Sequence, residues 1–163
     1  MRTQKLSFKL NGEERVCETD SRSLLVETIR ELDATGTRVG CLTGDCGACT
    51  IIMDDAPVKS CLVLAVAADG ARLTTIEGTS GDVAEAVKRA FVTRNGFQCG
   101  YCTSGMVIVA VDFLRTNRAP SEADIREAIA GNLCRCTGYD DIVAAIGDAA
   151  RALQEQRSEK SRA

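Results

Sequence analysis

The sequence predicts an α+β chain in two parts, a small mixed sheet followed by an all-α bundle of four helices. Three observations lead there. Residues Lys5 to Leu10 alternate apolar and polar side chains and end on Asn11-Gly12, a pair that favours a two-residue hairpin turn. After Gly78 and Gly81 the apolar period lengthens from the step of a strand to that of a helix. Eight of the nine cysteines fall into two sets of four, one in each part.

The elements follow in order. Leu6, Phe8 and Leu10 mark the buried face of the first strand, and Glu13 to Thr19 forms the return strand, with Val16 and Cys17 among polar residues. Cys17 suits a small buried hydrophobe. Ser23 can N-cap a helix to about Leu32, with Leu24, Leu25, Thr28 and Ile29 inward. An irregular loop punctuated by Gly36, Gly40, Gly44 and Gly47 carries three cysteines. Thr50 to Met53 is a strand, Asp54 to Pro57 a turn, Val58 to Ser60 a strand, and Arg72 to Ile76 the last strand. One helix inserted among strands suggests a β-grasp, ferredoxin-like domain over residues 1–78.

Residues 79–155 then predict the four-helix domain. Its first helix carries Val83, Ala86, Val87, Ala90 and Phe91 inward. The second starts near Cys102 and carries Met106, Val109, Ala110 and Phe113. Ser121 caps the third, with Glu122 and Asp124 in its acid-favouring first turn, and Gly131-Asn132 stops it. The fourth begins near Tyr139 and carries Ile142, Val143, Ile146 and Ala150. Residues 156–163 are polar and read as a flexible tail.

Composition removes several function classes. A net charge of −3 gives no basic face for nucleic acid. No apolar run approaches the roughly 20 residues that span a bilayer, and the N-terminus has no apolar signal core. A cytoplasmic location follows, where thiols stay reduced and gathered cysteines usually mean metal. Histidine is absent. That removes Rieske ligation, Ser-His-Asp and Cys-His catalysis, and mixed Cys/His zinc sites.

The first cysteine set, in GCLTGDCGACT and Ser60-Cys61, is Cys41, Cys46, Cys49 and Cys61. C-x4-C-x2-C with a later fourth cysteine is the plant-type [2Fe–2S] spacing. A thiolate-ligated cluster is anionic, so the loop must turn backbone N–H groups toward it, and Gly40, Gly44 and Gly47 flank the ligands as that wrapping needs. Disulfides and a four-cysteine zinc site are the rival readings; zinc sites more often show two C-x2-C pairs. The second set is Cys99, Cys102, Cys134 and Cys136, spaced C-x2-C, a long interval and C-x-C. Helix N-termini could face an anionic cluster there, yet this spacing alone suits zinc as well as iron–sulfur. Two such sets on one short chain suit an electron relay better than chemistry on a substrate.

The motifs GCLTGDCGACT, TTIEG, QCGYCTSGM and GNLCRCTGYDDI carry a resemblance. The chain resembles the small iron–sulfur subunit of the molybdenum hydroxylases, the xanthine dehydrogenase, aldehyde oxidoreductase and CO dehydrogenase type. The resemblance runs from the Asn11-Gly12 hairpin to about Ala150. It implies two [2Fe–2S] clusters, and a relay from molybdenum through the helical-domain cluster, then the ferredoxin-type cluster, to FAD. It also implies a large subunit holding molybdopterin (as its cytosine dinucleotide), a medium FAD subunit and a dimer of heterotrimers, with no catalytic residue on this chain. Gln98 and Cys136 would touch the pterin dinucleotide. Ser104 departs from the proline usual in this family, a tolerable change at a first helical turn. A free-standing double-cluster ferredoxin or redox sensor is the alternative function. Arg135, between two of the cysteines, either supplies positive charge or forms an ion pair. Tyr101 either shields the cluster or packs against a partner subunit, packing being the better reading, while Asp45 suits a solvated loop and Asp140-Asp141 helix stabilisation.

Overall fold

A computed structural model describes residues 3–160. Strand β1 (Thr3–Leu10) pairs antiparallel with β2 (Glu13–Asp20) through Asn11-Gly12, both at positive φ (54° and 88°), as a hairpin of right-handed twist requires. Leu6, Phe8 and Leu10 alternate inward as the sequence indicates. Helix α1 (Leu25–Glu31) crosses to a long loop, after which β3 (Thr50–Met53) and β4 (Ala56–Lys59) form a second hairpin. A 3-10 turn over Ser60–Leu62 and another over Ala65–Ala68 lead to β5 (Arg72–Thr74). The sheet order is β2-β1-β5-β3-β4, with β1 and β5 parallel and the other neighbours antiparallel.

Two local expectations change. Ser23 does not cap α1; Leu24 occupies that position and its N–H donates to Glu27 Oε2 at 3.0 Å. The Glu27 carboxylate thus takes the N–H of the cap residue itself, the reciprocal half of a capping box, and no side-chain oxygen at Leu24 accepts from the first turn. The second hairpin turns on Asp54 and Asp55 alone, both at positive φ (48° and 73°), so Ala56 and Pro57 belong to β4. Pro57 is tolerated because β4 is an edge strand.

The helical part comprises α2 (Asp82–Thr93), α3 (Thr103–Thr116), α4 (Glu122–Ala128) and α5 (Asp140–Lys160). Ser121 caps α4, its hydroxyl accepting from Asp124 N at 3.2 Å while Asp124 Oδ2 accepts from Ser121 N at 2.8 Å. Two large hydrophobic cores result, beside a small cluster of Val26, Cys49 and Cys61. One joins Phe8, Leu25, Ile29, Ile51 and Leu73 between sheet and α1; the other joins Phe91, Met106, Leu114, Ile142 and Ile146 among the helices.

Helix α3 departs from a single-faced pattern. Val107, Ile108 and Val111 are buried beside Met106 and Ala110, because α3 packs on β3 and β4 as well as on α2 and α4. A helix covered on both sides is apolar nearly all round. Helix α5 also continues past residue 155, so the expected tail over 156–163 is helical as far as Lys160; residues 161–163 lie outside the described residues. Leu153 is buried, Gln154 Nε2 donates to Arg118 O at 2.6 Å, and Lys160 Nζ pairs with Asp82 Oδ2 at 3.2 Å. These contacts hold a polar stretch helical where its own sequence would fray.

Candidate metal centres

The loop between α1 and β3 carries Cys41, Cys46 and Cys49, and the 3-10 turn after β4 brings Cys61 to it. Cys49 and Cys61 are buried, at 2% and 3% exposure, while Cys41 and Cys46 are half-buried. Beyond burial, Cys41 and Cys49 both push the Cys46 thiol up and Cys49 and Cys41 both push Cys61 up, so the four thiols sit close enough to act on one another. Backbone N–H groups turn toward the sulfurs. Those of Thr43 and Cys46 each donate to Cys41 Sγ at 3.4 Å.

The second set is assembled from three segments. Cys99 lies in the link between α2 and α3, Cys102 at the N-cap of α3, and Cys134 and Cys136 in the link between α4 and α5. The Cys99 and Cys136 sulfurs lie 3.6 Å apart, and Cys134 and Cys99 both act on Cys102, so these four are also within mutual reach. Thr137 Oγ1 donates to Cys134 Sγ at 3.1 Å. Cys99 and Cys136 are exposed, with Gln98 exposed alongside. Among the described residues no three Cys, Asp or Glu side chains converge on a single-ion site. Four thiols within mutual reach and no single-ion site suit a binuclear centre, which takes two thiolates to each iron.

Electrostatics divides each set. The Thr43 hydroxyl, with the N–H groups of Cys46 and Thr43, draws the Cys41 thiol down to about 6. Burial, with Cys49 beside it, pushes Cys61 up to about 11. Burial likewise pushes Cys102 up to about 12, with Cys134 adding to it. Burial acts to raise Cys134 too, but the Thr137 hydroxyl and nearby N–H groups outweigh it and hold that thiol below its usual value. Each set thus holds one thiol drawn down by hydrogen bonds and another pushed up by burial.

The two sets meet at a close junction. Leu133 N donates to Cys46 O at 2.9 Å, so residues adjoining Cys134 and bearing Cys46 are hydrogen-bonded directly. Asn132, 3% exposed, donates from Nδ2 to Gly47 O at 3.1 Å. A Cβ on Gly47 would lie 2.5 Å from Gly131 O, and one on Gly105 would lie 2.3 Å from Gly47 O. Three backbones therefore approach too closely for side chains. Tyr101 OH donates to Val39 O at 2.7 Å, so it packs against this chain's own first cysteine loop. Tyr139 accepts from Cys134 N at 2.8 Å and braces the second link. The sequence shows Gly47, Asn132 and Tyr139 only as a flanking glycine, a helix stop and a helix start; nothing local signals their joint role. Arg135 is exposed and makes no ion pair among the described residues. Asp140 accepts from Arg126 Nη2 at 2.9 Å at the start of α5, and Cys17 is a half-buried neighbour of the sheet core.

Comparison with known proteins agrees with this geometry. Residues 75–147 match the family model for a [2Fe-2S] binding domain. The chain is 41% identical over 145 residues to the nicotine 6-hydroxylase small subunit of Paenarthrobacter nicotinovorans, covering 88% of each. It is 42% identical to caffeine dehydrogenase subunit gamma of Pseudomonas sp. strain CBB1, covering 98% of this chain and 99% of that one. Among solved structures, quinoline 2-oxidoreductase from Pseudomonas putida 86 superposes with a TM-score of 0.87 at 42% identity, covering 95% of this chain and 98% of that chain. The chain belongs to the small iron–sulfur subunits of the molybdenum hydroxylases, and so is the iron–sulfur subunit of an oxidoreductase complex.

Proposed function

We propose that this chain carries electrons through two [2Fe–2S] clusters, one held by Cys41, Cys46, Cys49 and Cys61, the other by Cys99, Cys102, Cys134 and Cys136. The observation that carries the reading is the gathering of four thiols in each set, with hydrogen bonds from Leu133 N to Cys46 O and from Asn132 Nδ2 to Gly47 O between their loops. The residues fit the group in another way. Thr103 Oγ1 and Ser104 Oγ, beside Cys102, are buried hydroxyls without a partner, and an anionic centre would supply an acceptor there. Each cluster, when bound, accepts and releases one electron at a time. The protein's own part is to wrap thiolates with N–H donors, keep water from Cys49 and Cys61, and fix the distance between the two centres.

The exposed face of Gln98, Cys99 and Cys136 supports contact with a cofactor on another chain. We assign that cofactor as the molybdopterin of a large subunit, in its cytosine dinucleotide form, touched by Gln98 and Cys136. Electrons then pass from the helical-domain cluster to the ferredoxin-type cluster and on to FAD in a medium subunit, within a cytoplasmic dimer of heterotrimers. Residues 1–78 and 79–155 divide the work, one cluster to each. No helix among the described residues is long and apolar enough to cross a membrane.

Metal analysis of the purified complex tests the reading. The expected result is about four irons per copy of this chain, following from two binuclear clusters. Low-temperature EPR after dithionite reduction should show two distinct signals. Zinc as the dominant metal, or one signal only, would sink it. A native mass near that of the lone 17.4 kDa chain would favour a free-standing ferredoxin instead.

A further inference from the structure

Lys59 is the last residue of β4, two positions before Cys61, and its side chain is half-buried. Its Nζ donates to Gly44 O at 2.5 Å, and Gly44 lies in the loop between Cys41 and Cys46. On its other side, Nζ lies 3.7 Å from where a Cβ on Gly131 would stand. Gly131 opens the link that runs through Asn132 and Leu133 to Cys134. One ammonium thus sits against the first cysteine loop while touching the approach to the second. No carboxylate pairs with it among the described residues.

A cation withdrawn in part from water needs an anion or an electron-rich group opposite it. A carbonyl oxygen meets part of that need. The nearest concentration of negative charge would be four thiolates and two sulfides around iron, anionic when oxidised and more so when reduced. A fixed positive charge beside such a centre favours the reduced form, and the effect weakens with distance. Arg135, the cation beside the second set, is exposed and therefore screened by solvent.

We propose that Lys59 is a positioning and charge-setting residue that raises the reduction potential of the Cys41/Cys46/Cys49/Cys61 cluster relative to its neighbour, so that electrons delivered to the helical-domain cluster move forward. In the equilibrium concerned, one electron leaves the reduced helical-domain cluster and reduces the ferredoxin-type cluster, with no proton or further reagent involved. The inference rests on the two-cluster reading above.

The test is an EPR-monitored redox titration of the whole complex carrying Lys59→Gln, Lys59→Met or Lys59→Arg. Glutamine can still donate to the Gly44 carbonyl, methionine keeps only the apolar stem, and arginine keeps the charge. Both neutral variants should lower the midpoint of the ferredoxin-type cluster, reducing the transfer equilibrium about tenfold, or about 59 mV for one electron. The helical-domain midpoint should move less, and Lys59→Arg should stay near the parent value. If Lys59→Met loses iron, Lys59→Gln decides. Unmoved midpoints in Lys59→Gln, equal shifts at both clusters, or loss of iron from both neutral variants would each overturn the charge-setting role and leave Lys59 a tether. Failure to see two signals in the parent complex would instead defeat the two-cluster reading itself.

Discussion

The two cysteine sets hold the same number of thiols by different means. In the first, three cysteines share one loop, and the fourth arrives at the end of β4, so a short stretch of backbone supplies most of the enclosure. Cys49 and Cys61 are nearly inaccessible there. In the second, the thiols come from the α2–α3 link, the start of α3 and the α4–α5 link, and Cys99 and Cys136 remain open to solvent. The first centre is buried by its own loop. The second depends on how helices pack, and leaves one pair of sulfurs facing outward. Within the second set, Cys99 and Cys136 are exposed while Cys102 and Cys134 are half-buried.

Removing ligands one set at a time should give the largest effects and separate the two centres most sharply. Cys102→Ser should abolish one EPR signal, halve the iron and stop electron flow out of the large subunit. Cys49→Ser should abolish the other signal and leave the first intact. Loss of both signals from either single change would mean that the two sets do not form independent centres.

The next largest effect should come from the junction. Gly105→Ala places a methyl group 2.3 Å from Gly47 O, which is backbone and cannot swing aside. Crowding of this kind costs about 3 kcal/mol, at the upper end of small-to-large changes in packed interiors. Denaturant unfolding of the variant should show a lower midpoint. An unchanged midpoint would show that the three backbones have room to spread and that the two parts are not fixed together there.

A smaller, pH-dependent effect belongs to Glu77. Burial acts to raise its pKa, but the Thr75 hydroxyl and the N–H groups of Glu77 and Gly36 outweigh it, so the folded value is lowered. Gly36 N donates to Glu77 Oε1 at 2.7 Å, tying the loop before Cys41 to the end of the sheet. A lowered folded pKa means that the unfolded chain binds the proton more readily. The stabilisation is then present above the unfolded value of about 4.3 and lost as pH falls through the lower folded value. Because the carboxylate is exposed, Glu77→Gln should cost only about 0.5 kcal/mol near neutral pH. Thermal melts of parent and variant should converge on the acid side; a gap that widens with acid would reverse the sign argued here. Smallest of all, Cys17→Ser should leave both EPR signals and the activity intact, and loss of either signal would contradict the separation of eight thiols from one.

The first centre was far more legible than the second. GCLTGDCGACT contains ligands, spacing and flanking glycines in one run, because a loop that wraps a charged group must carry its instructions locally. The turn expected over Asp54 to Pro57 is confined to Asp54-Asp55, since residues that accept positive φ do not show where pairing resumes. Ser23 is not the cap of α1, because the helix starts one residue later and Glu27 takes the Leu24 N–H. The Gly47–Asn132–Gly105 contact had no local signal at all. It joins positions 85 residues apart in one of its hydrogen bonds, and each residue alone has an ordinary explanation.

The sequence by itself determined the α+β order, the two sets of thiols and the family, because periodicity and ligand spacing are properties of neighbouring residues. Only the tertiary structure decided which sulfurs are buried, which face outward, and that Leu133 and Cys46 join the two loops. It also decided that α3 is covered on both sides and that α5 stays helical to Lys160. Those outcomes depend on distances between segments that are remote along the chain. Burial and backbone approach set such distances, and no run of adjacent residues encodes them.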